Sequence, residues 1–340
     1  MQNNRLILTG GYSVNLERNG VMEVPVYLVN GFLESGKTLF IDDALKSEDF
    51  ADGDKTLLIA CEEGMEEYDE KQLTPLNVAI EYIEDEAQLN KDNLKKLCDK
   101  HKPMRIFIEF NGMWNMKNFL ENELPTFFVM AQVITLVDAS TFDMHMANND
   151  MKSIMMEKFK LSDMVIFNRC VKDTNRAGYR RSVKVVNGRT QVYFESSDGS
   201  SNEVEEILPF DLSKDVVEVA DEDFGIWYVD AMDNPEKYKG KTMKMKAVVY
   251  RPKSLFKDNF VPGRFAMTCC ADDIRFIGYK CKCDKNTSEQ LKAFKDRDFV
   301  MLTAKVNVEY QMEYKGKGVV LYATDIQPAK KPADDIVYFN

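Results

Sequence analysis

Residues 31–38 read G-F-L-E-S-G-K-T, a full match to the G-x-x-x-x-G-K-[ST] phosphate-binding loop, and the stretch before them, 24–30, reads as a buried strand. The chemistry needs this spelling because a polyphosphate carries several negative charges, which main-chain N–H groups meet when they curl into a nest at a helix start. Gly31 and Gly36 permit the curl, and Glu34 and Ser35 lie within it. Lys37 can reach the phosphates as a point charge, the Thr38 hydroxyl is placed to ligate a bridging Mg²⁺, and Leu39 opens an apolar helix expected over 37–45. The loop therefore predicts a nucleotide-binding protein built on a three-layer α/β architecture.

A chain of 340 residues suggests two domains, each with its own core. The net charge of -11 disfavours a nucleic-acid backbone or an anionic membrane surface as main partner, and no basic stripe offsets it. The least polar window, 126–139, is interrupted by Gln132, Thr135 and Asp138 and is too short to span a membrane, so a core strand is expected there. With no basic-then-apolar signal pattern and an odd set of seven cysteines, reduced thiols and a cytoplasmic location are expected.

From 24 onward, apolar runs of strand length alternate with helical patterns. Strands are expected over 24–30, 56–60, 78–83, 104–109, 130–138, 164–168 and 191–194, and helices over 37–45, 86–101, 151–160 and 174–186. Continuous apolar strands separated by helices indicate a mostly parallel sheet covered on both faces. The expected division is an extension or hairpin over 1–23, a P-loop domain over 24–212, an acidic linker over 213–226 and a smaller all-β domain over 227–340. In that last region strands are expected over 242–251, 264–270, 274–282, 299–310 and 318–327, with a helix near 288–295. This is the element order of an OB-like barrel.

Hydrolysis needs a metal shell and an oriented water in addition to the loop. The segment M-R-I-F-I-E-F-N-G delivers Glu109 at the carboxyl end of a strand, where ligands bind in open α/β sheets. Glu109 can hold Mg²⁺ or position the attacking water. The acidic run C-E-E-G-M-E-E-Y-D-E at 61–70 offers Glu62 and Asp69 as metal ligands, although a run of acids also reads as a solvated loop. Asp138 ends a further strand and either lines the same edge or caps a turn.

Residues 31–38, I-E-F-N-G at 108–112, V-D-A at 137–139 and S-D-M-V-I-F-N-R at 162–169 together resemble, in order and spacing, the CobW-like branch of the metal-chaperone GTPases. The resemblance runs from 24 to 212. It implies GTP binding with Mg²⁺, slow hydrolysis coupled to transition-metal delivery, and roles for Lys37, Thr38, Asp69 and Glu109 like those above. Two departures stand out. The interval that carries a C-x-C-C metal motif in the family holds only Cys61 and Cys98, and the guanine-reading N-K-x-D motif stands as Asn168-Arg169-Cys170-Val171, with Asp173 two residues beyond the expected carboxylate. Loss of an acceptor for the guanine N1–H weakens exclusion of adenine.

Residues 227–340 resemble the soluble domain of a permease-associated family, the YcgQ-like proteins, through R-F-A-M-T-C-C-A-D-D at 264–273 and the terminal D-D-I-V-Y-F. That resemblance implies a multi-spanning permease as partner. Cys269 and Cys270, with Cys281 and Cys283, suggest a thiolate site for Zn²⁺ or another transition metal. Strand neighbours point to opposite faces, however, so Cys269 and Cys270 need a bulge to share an ion. The methionines around His145 read as core filling. The whole predicts a Mg²⁺-dependent GTPase switch in metal handling or permease function, its rival being a nucleotide-dependent adaptor with little turnover.

Overall fold

A computed structural model of the chain describes residues 17–18, 21–198, 204, 208–252, 259–268, 274–311 and 316–339. Contacts divide the chain into two compact units, 1–174 with 189–203, and 175–188 with 204–340. Ahead of the first sheet, Glu17–Arg18 and Val21–Met22 pair antiparallel. Residues 1–16 of the expected extension lie outside the described residues.

The first unit carries a seven-stranded, all-parallel sheet. Its strands are β1 (Val24–Asn30), β2 (Thr56–Ala60), β3 (Val78–Tyr82), β4 (Arg105–Glu109), β5 (Phe128–Asp138), β6 (Met164–Cys170) and β7 (Gln191–Ser196), in the order β3-β2-β4-β1-β5-β6-β7. In β1 the alternation is explicit: Val24, Val26 and Leu28 enter one core while Tyr27 and Val29 enter the other. An unbroken apolar run is what a strand covered on both faces requires. The helices include α1 (Lys37–Lys46), α2 (Glu70–Leu73), α3 (Lys91–His101), α4 (Ala139–Ala147) and α5 (Asn149–Leu161), with a short helical stretch over Met116–Asn118 and Phe119–Glu123 between β4 and β5. The helix expected over 86–101 is interrupted, because the Asn90 side chain accepts from the Asn93 amide and starts α3 afresh after a short 3₁₀ turn at Glu86–Gln88.

The second unit holds helix α6 (Arg176–Val186), whose Arg180 and Lys184 pair with Asp233 at 2.9 and 3.1 Å and whose Val185 joins this unit's core. The acidic stretch expected as a linker carries strand β8 (Val216–Val219), paired parallel with β9 (Thr242–Tyr250). It then opens helix α7 (Phe224–Asp233), where Trp227 is fully buried. A helix apolar on nearly every side shows no amphipathic period, which is why its pattern does not stand out. The remaining strands are β10 (Asn259–Met267), β11 (Ile274–Gly278), β12 (Cys281–Lys282), β13 (Phe299–Gln311), β14 (Gly316–Pro328) and β15 (Ile336–Val337), with helix α8 (Lys285–Lys292). Strand β10 starts five residues before the expected 264, since Pro262 and Gly263 lie inside it opposite β9. Pairings β9–β13, β13–β14, β14–β12, β12–β10 and β10–β9 close a ring around the core cluster. No described helix is long and apolar enough to cross a membrane.

Candidate functional site

Strand β1 lies between β4 and β5, where the sheet order turns back on itself, and its carboxyl end runs into the phosphate loop. Crevices at such points are where open α/β sheets bind ligands. Gly31 and Gly36 have φ of 149° and 90°, and a Cβ on Gly31 would stand 2.3 Å from the Leu136 carbonyl oxygen. Glu34 also adopts a left-handed backbone, φ 61°, without the freedom of glycine. That strained residue is held at both ends: the Arg169 Nη1 donates to its carbonyl at 2.9 Å, and its carboxylate accepts from the Met65 amide at 2.9 Å. The Asn168 side chain donates to the Ser35 carbonyl at 2.7 Å, so β6 braces the loop from a second strand end.

Lys37 is buried inside this curl. Its ammonium donates to the Gly31 and Phe32 carbonyls at 3.1 and 3.0 Å and forms an ion pair with Glu62. Glu62 accepts in turn from the Gly112 amide at 3.2 Å. Gly112 is pressed so closely onto the loop that a Cβ there would lie 2.3 Å from the Gly31 oxygen. The Thr38 hydroxyl donates to Glu109 at 2.8 Å, and the Tyr68 hydroxyl donates to the other Glu109 oxygen at 2.7 Å. Burial is the largest influence on Glu109 and leaves its carboxyl above the usual range, despite these donors and Lys37. Two hard oxygen donors, Thr38 and Glu109, thus meet beside the ammonium, a donor set suited to Mg²⁺. Leu39 and Glu34 line the same cleft with Glu62, Glu66 and Arg169.

The other expected residues fall elsewhere. Asp69 is the N-cap of α2: its oxygens accept from the Lys71 amide at 3.0 Å and the Gln72 side chain at 2.8 Å, and it does not line the cleft. An aspartate ahead of a helix start is drawn to the free amides there, which a run of acids does not reveal. Asp173 is exposed in the turn after β6, and Val171, two residues before it at the position of the expected base-reading carboxylate, has 46% of its surface exposed. Asp138 caps α4 through Ser140 and pairs with Arg169. Tyr68, Gly112 and the Asp138–Arg169 pair escaped sequence reasoning, since their roles depend on partners at least thirty residues away.

Cys269, Cys270, Asp272 and Asp273 lie outside the described residues. Cys281 is fully buried, and burial, with a hydrogen bond from its thiol to Cys283, pushes it well above the usual range. Cys61 and Cys98 both belong to one apolar core. Among the described residues no group of three or more His, Cys, Asp or Glu is arranged to hold a metal. Met155 and Met156 are buried, as core-filling residues are, whereas Met144 is exposed.

A parallel sheet, a glycine nest and a buried lysine beside a threonine–carboxylate pair define a P-loop nucleotide-binding protein. The family model for the CobW/HypB/UreG nucleotide-binding domain matches residues 25–194, half of the sequence, and the chain belongs to that family. The model for the DUF1980 C-terminal domain matches 194–339. No curated protein matches. Among solved structures, the hydrogenase maturation factor HypB from Archaeoglobus fulgidus is 15% identical, covering 53% of this chain and 84% of that one, with a TM-score of 0.38. The Zn(II)-bound YjiA GTPase from E. coli is 21% identical over 55% of this chain and 60% of that one, with a TM-score of 0.39. HypB from Helicobacter pylori in complex with nickel is 19% identical over 51% and 80%, with a TM-score of 0.32.

Proposed function

We propose that the protein is a cytoplasmic, Mg²⁺-dependent GTPase switch of slow turnover. The observation that carries this reading is the convergence of Lys37, Thr38 and Glu109 at the mouth of the glycine nest, with Thr38 and Glu109 oxygens 2.8 Å apart. Main-chain amides of 31–38 and the Lys37 ammonium bind the phosphate tail and neutralise charge as the terminal phosphoryl group leaves. Thr38 and Glu109 hold the Mg²⁺, which when bound supplies further positive charge to the phosphate oxygens. Asn168 and Arg169, which donate to the Ser35 and Glu34 carbonyls, are read as the base-side residues, with Asp173 the next carboxylate along the chain. Family membership supports guanine over adenine as the base. The second unit, whose closed ring of strands we read as OB-like, transmits the nucleotide state to a permease or a metal-handling partner. Zn²⁺ or another transition metal enters as cargo, with Cys269 and Cys270 as its candidate ligands.

A second reading, an adaptor that binds nucleotide with little turnover, is favoured by the state of Glu109. Both of its oxygens already accept from hydroxyl donors, Thr38 at 2.8 Å and Tyr68 at 2.7 Å, an arrangement that suits a ligand better than a base free to take a proton from water. Multiple-turnover phosphate release separates the two readings. The switch reading expects measurable release by the wild type that falls by about a hundredfold or more in Lys37→Ala. Equal rates would remove the enzyme reading and leave the adaptor.

A further inference from the structure

The acidic segment after β2 is tied at three points around the site, to Lys37 and Glu34 of the phosphate loop and to Glu109 at the end of β4, and the ties to Lys37 and Glu109 take groups that a nucleotide or its metal would need. Glu62 pairs with the Lys37 ammonium and accepts from the Gly112 amide at 3.2 Å. The Met65 amide donates to the carboxylate of the loop residue Glu34 at 2.9 Å. Tyr68 donates to Glu109 at 2.7 Å, on the oxygen opposite Thr38. The Lys37 and Glu62 side chains are only 3% and 9% exposed, so the pair is shielded from water and its attraction is weakly screened. A carboxylate and a phosphate offer this lysine the same chemistry, an anionic oxygen pair.

We propose that Glu62 is a built-in anion occupying the phosphate position on Lys37, an autoinhibitory latch that a nucleoside triphosphate displaces. The inference rests on the reading of the loop as a nucleotide site. An incoming phosphate tail meets Lys37 already neutralised and a second negative charge within the nest. Binding therefore requires that the Lys37–Glu62 pair open and that Glu62 leave the cleft, carrying the 62–68 segment off its anchors. The latch opposes nucleotide whatever its base, and it is distinct from metal ligation, because it acts when no divalent ion is present. Its consequence runs against the usual expectation for an acidic residue at a nucleotide site: removing the charge should strengthen binding.

Glu62→Gln tests this directly, since glutamine keeps an acceptor for the Gly112 amide and for Lys37 but loses the charge. Binding of fluorescently labelled GTP and GDP is titrated in EDTA, for wild type and variant. The latch predicts that the variant binds GTP about tenfold more tightly or better, the scale of one lost charge-assisted contact. Unchanged or weaker binding by the variant in EDTA, with wild type still binding, would overturn the latch and leave the nucleotide site standing. Absence of binding by both proteins, in EDTA and in Mg²⁺, would remove the nucleotide reading and the latch together. A second measurement uses the wild type alone: amide exchange at Met65 and Gly112 should speed up on saturation with GTP and Mg²⁺, as their acceptors depart. Unaltered protection at both amides would also overturn the proposal.

Discussion

The phosphate loop of the first unit and the core of the second bury charge in opposite ways. In the second, Asp230 sits at the end of α7 with three donors on its two oxygens: Lys237 at 2.7 Å, Tyr238 at 2.5 Å and Asn234 at 3.0 Å. Arg264 is buried between the Phe224 and Phe299 rings, and bonds Asp221 and the Asp334 carbonyl, both at 3.0 Å, with only its Nε lacking a partner. These groups close a structure. In the first unit the charges around the loop are left open to exchange. Lys37 is held by an acid that a phosphate can replace, Glu109 is met by two exchangeable hydroxyl donors, and Lys158 on α5 is buried facing the Phe32 ring at 6.0 Å, with no hydrogen bond from its ammonium among the described residues. A satisfied buried charge marks architecture, whereas one held at a cost near a strained loop marks a site awaiting a ligand.

That contrast can be broken most strongly at Asp230. Asp230→Ala leaves Tyr238 and Asn234 without their acceptor and should destabilise the second unit by about 3 kcal/mol while nucleotide affinity stays unchanged. The sequence holds two tryptophans, Trp114 in the first unit and Trp227 in the second, so urea unfolding followed at Trp227 in a Trp114→Phe background reads the second unit alone. A shift in nucleotide affinity as large as the stability loss would dissolve the division between architectural and functional charge.

Lys158 offers the opposite sign. Burial is the main cause that pulls its ammonium down to about 8, with repulsion from Lys37 adding. The unfolded chain keeps the ordinary value near 10.5, so between these values the unfolded state binds more protons and stability rises with pH. Below about pH 8 the folded protein carries the full cost of the buried charge. Lys158→Met should therefore stabilise the first unit at pH 7, by on the order of 3 kcal/mol, and flatten the rise from pH 8 to 10. Thermal unfolding across that range checks both points. A variant that is less stable at pH 7 would mean that the ammonium is well solvated or paired, and Lys158 would join the architectural class.

Much of this arrangement was legible in the chain because it is local. The run V-P-V-Y-L-V-N followed by the glycine-lysine loop fixes β1, the nest and α1 within one short stretch, and β2 and β4 are equally plain as apolar strands. Harder to read were features set by distant partners. Whether Glu62 or Asp69 faces the loop depends on which one the α2 amides capture, and nothing in an acidic run distinguishes them. Helix α4 hides in a mixture of Met, His and Asp because Asp138, an apparent site carboxylate, is its cap. In the second unit, Pro262 and Gly263 suggest a turn and yet pair within β10. Gly263 fits because the Phe276 ring and the Ile277 carbonyl of the neighbouring strand occupy the space a side chain would take.

The central claim is that Lys37 and its glycine nest bind the phosphate tail of a nucleotide. Isothermal titration of the full chain with GTP, GDP and ATP in Mg²⁺, for wild type and Lys37→Ala, tests it most directly. The account predicts saturable one-to-one binding by the wild type, tighter for the triphosphate than for the diphosphate, and loss of about a hundredfold or more in the variant. Wild-type protein that binds none of the three, or binds them no better than Lys37→Ala, would contradict it.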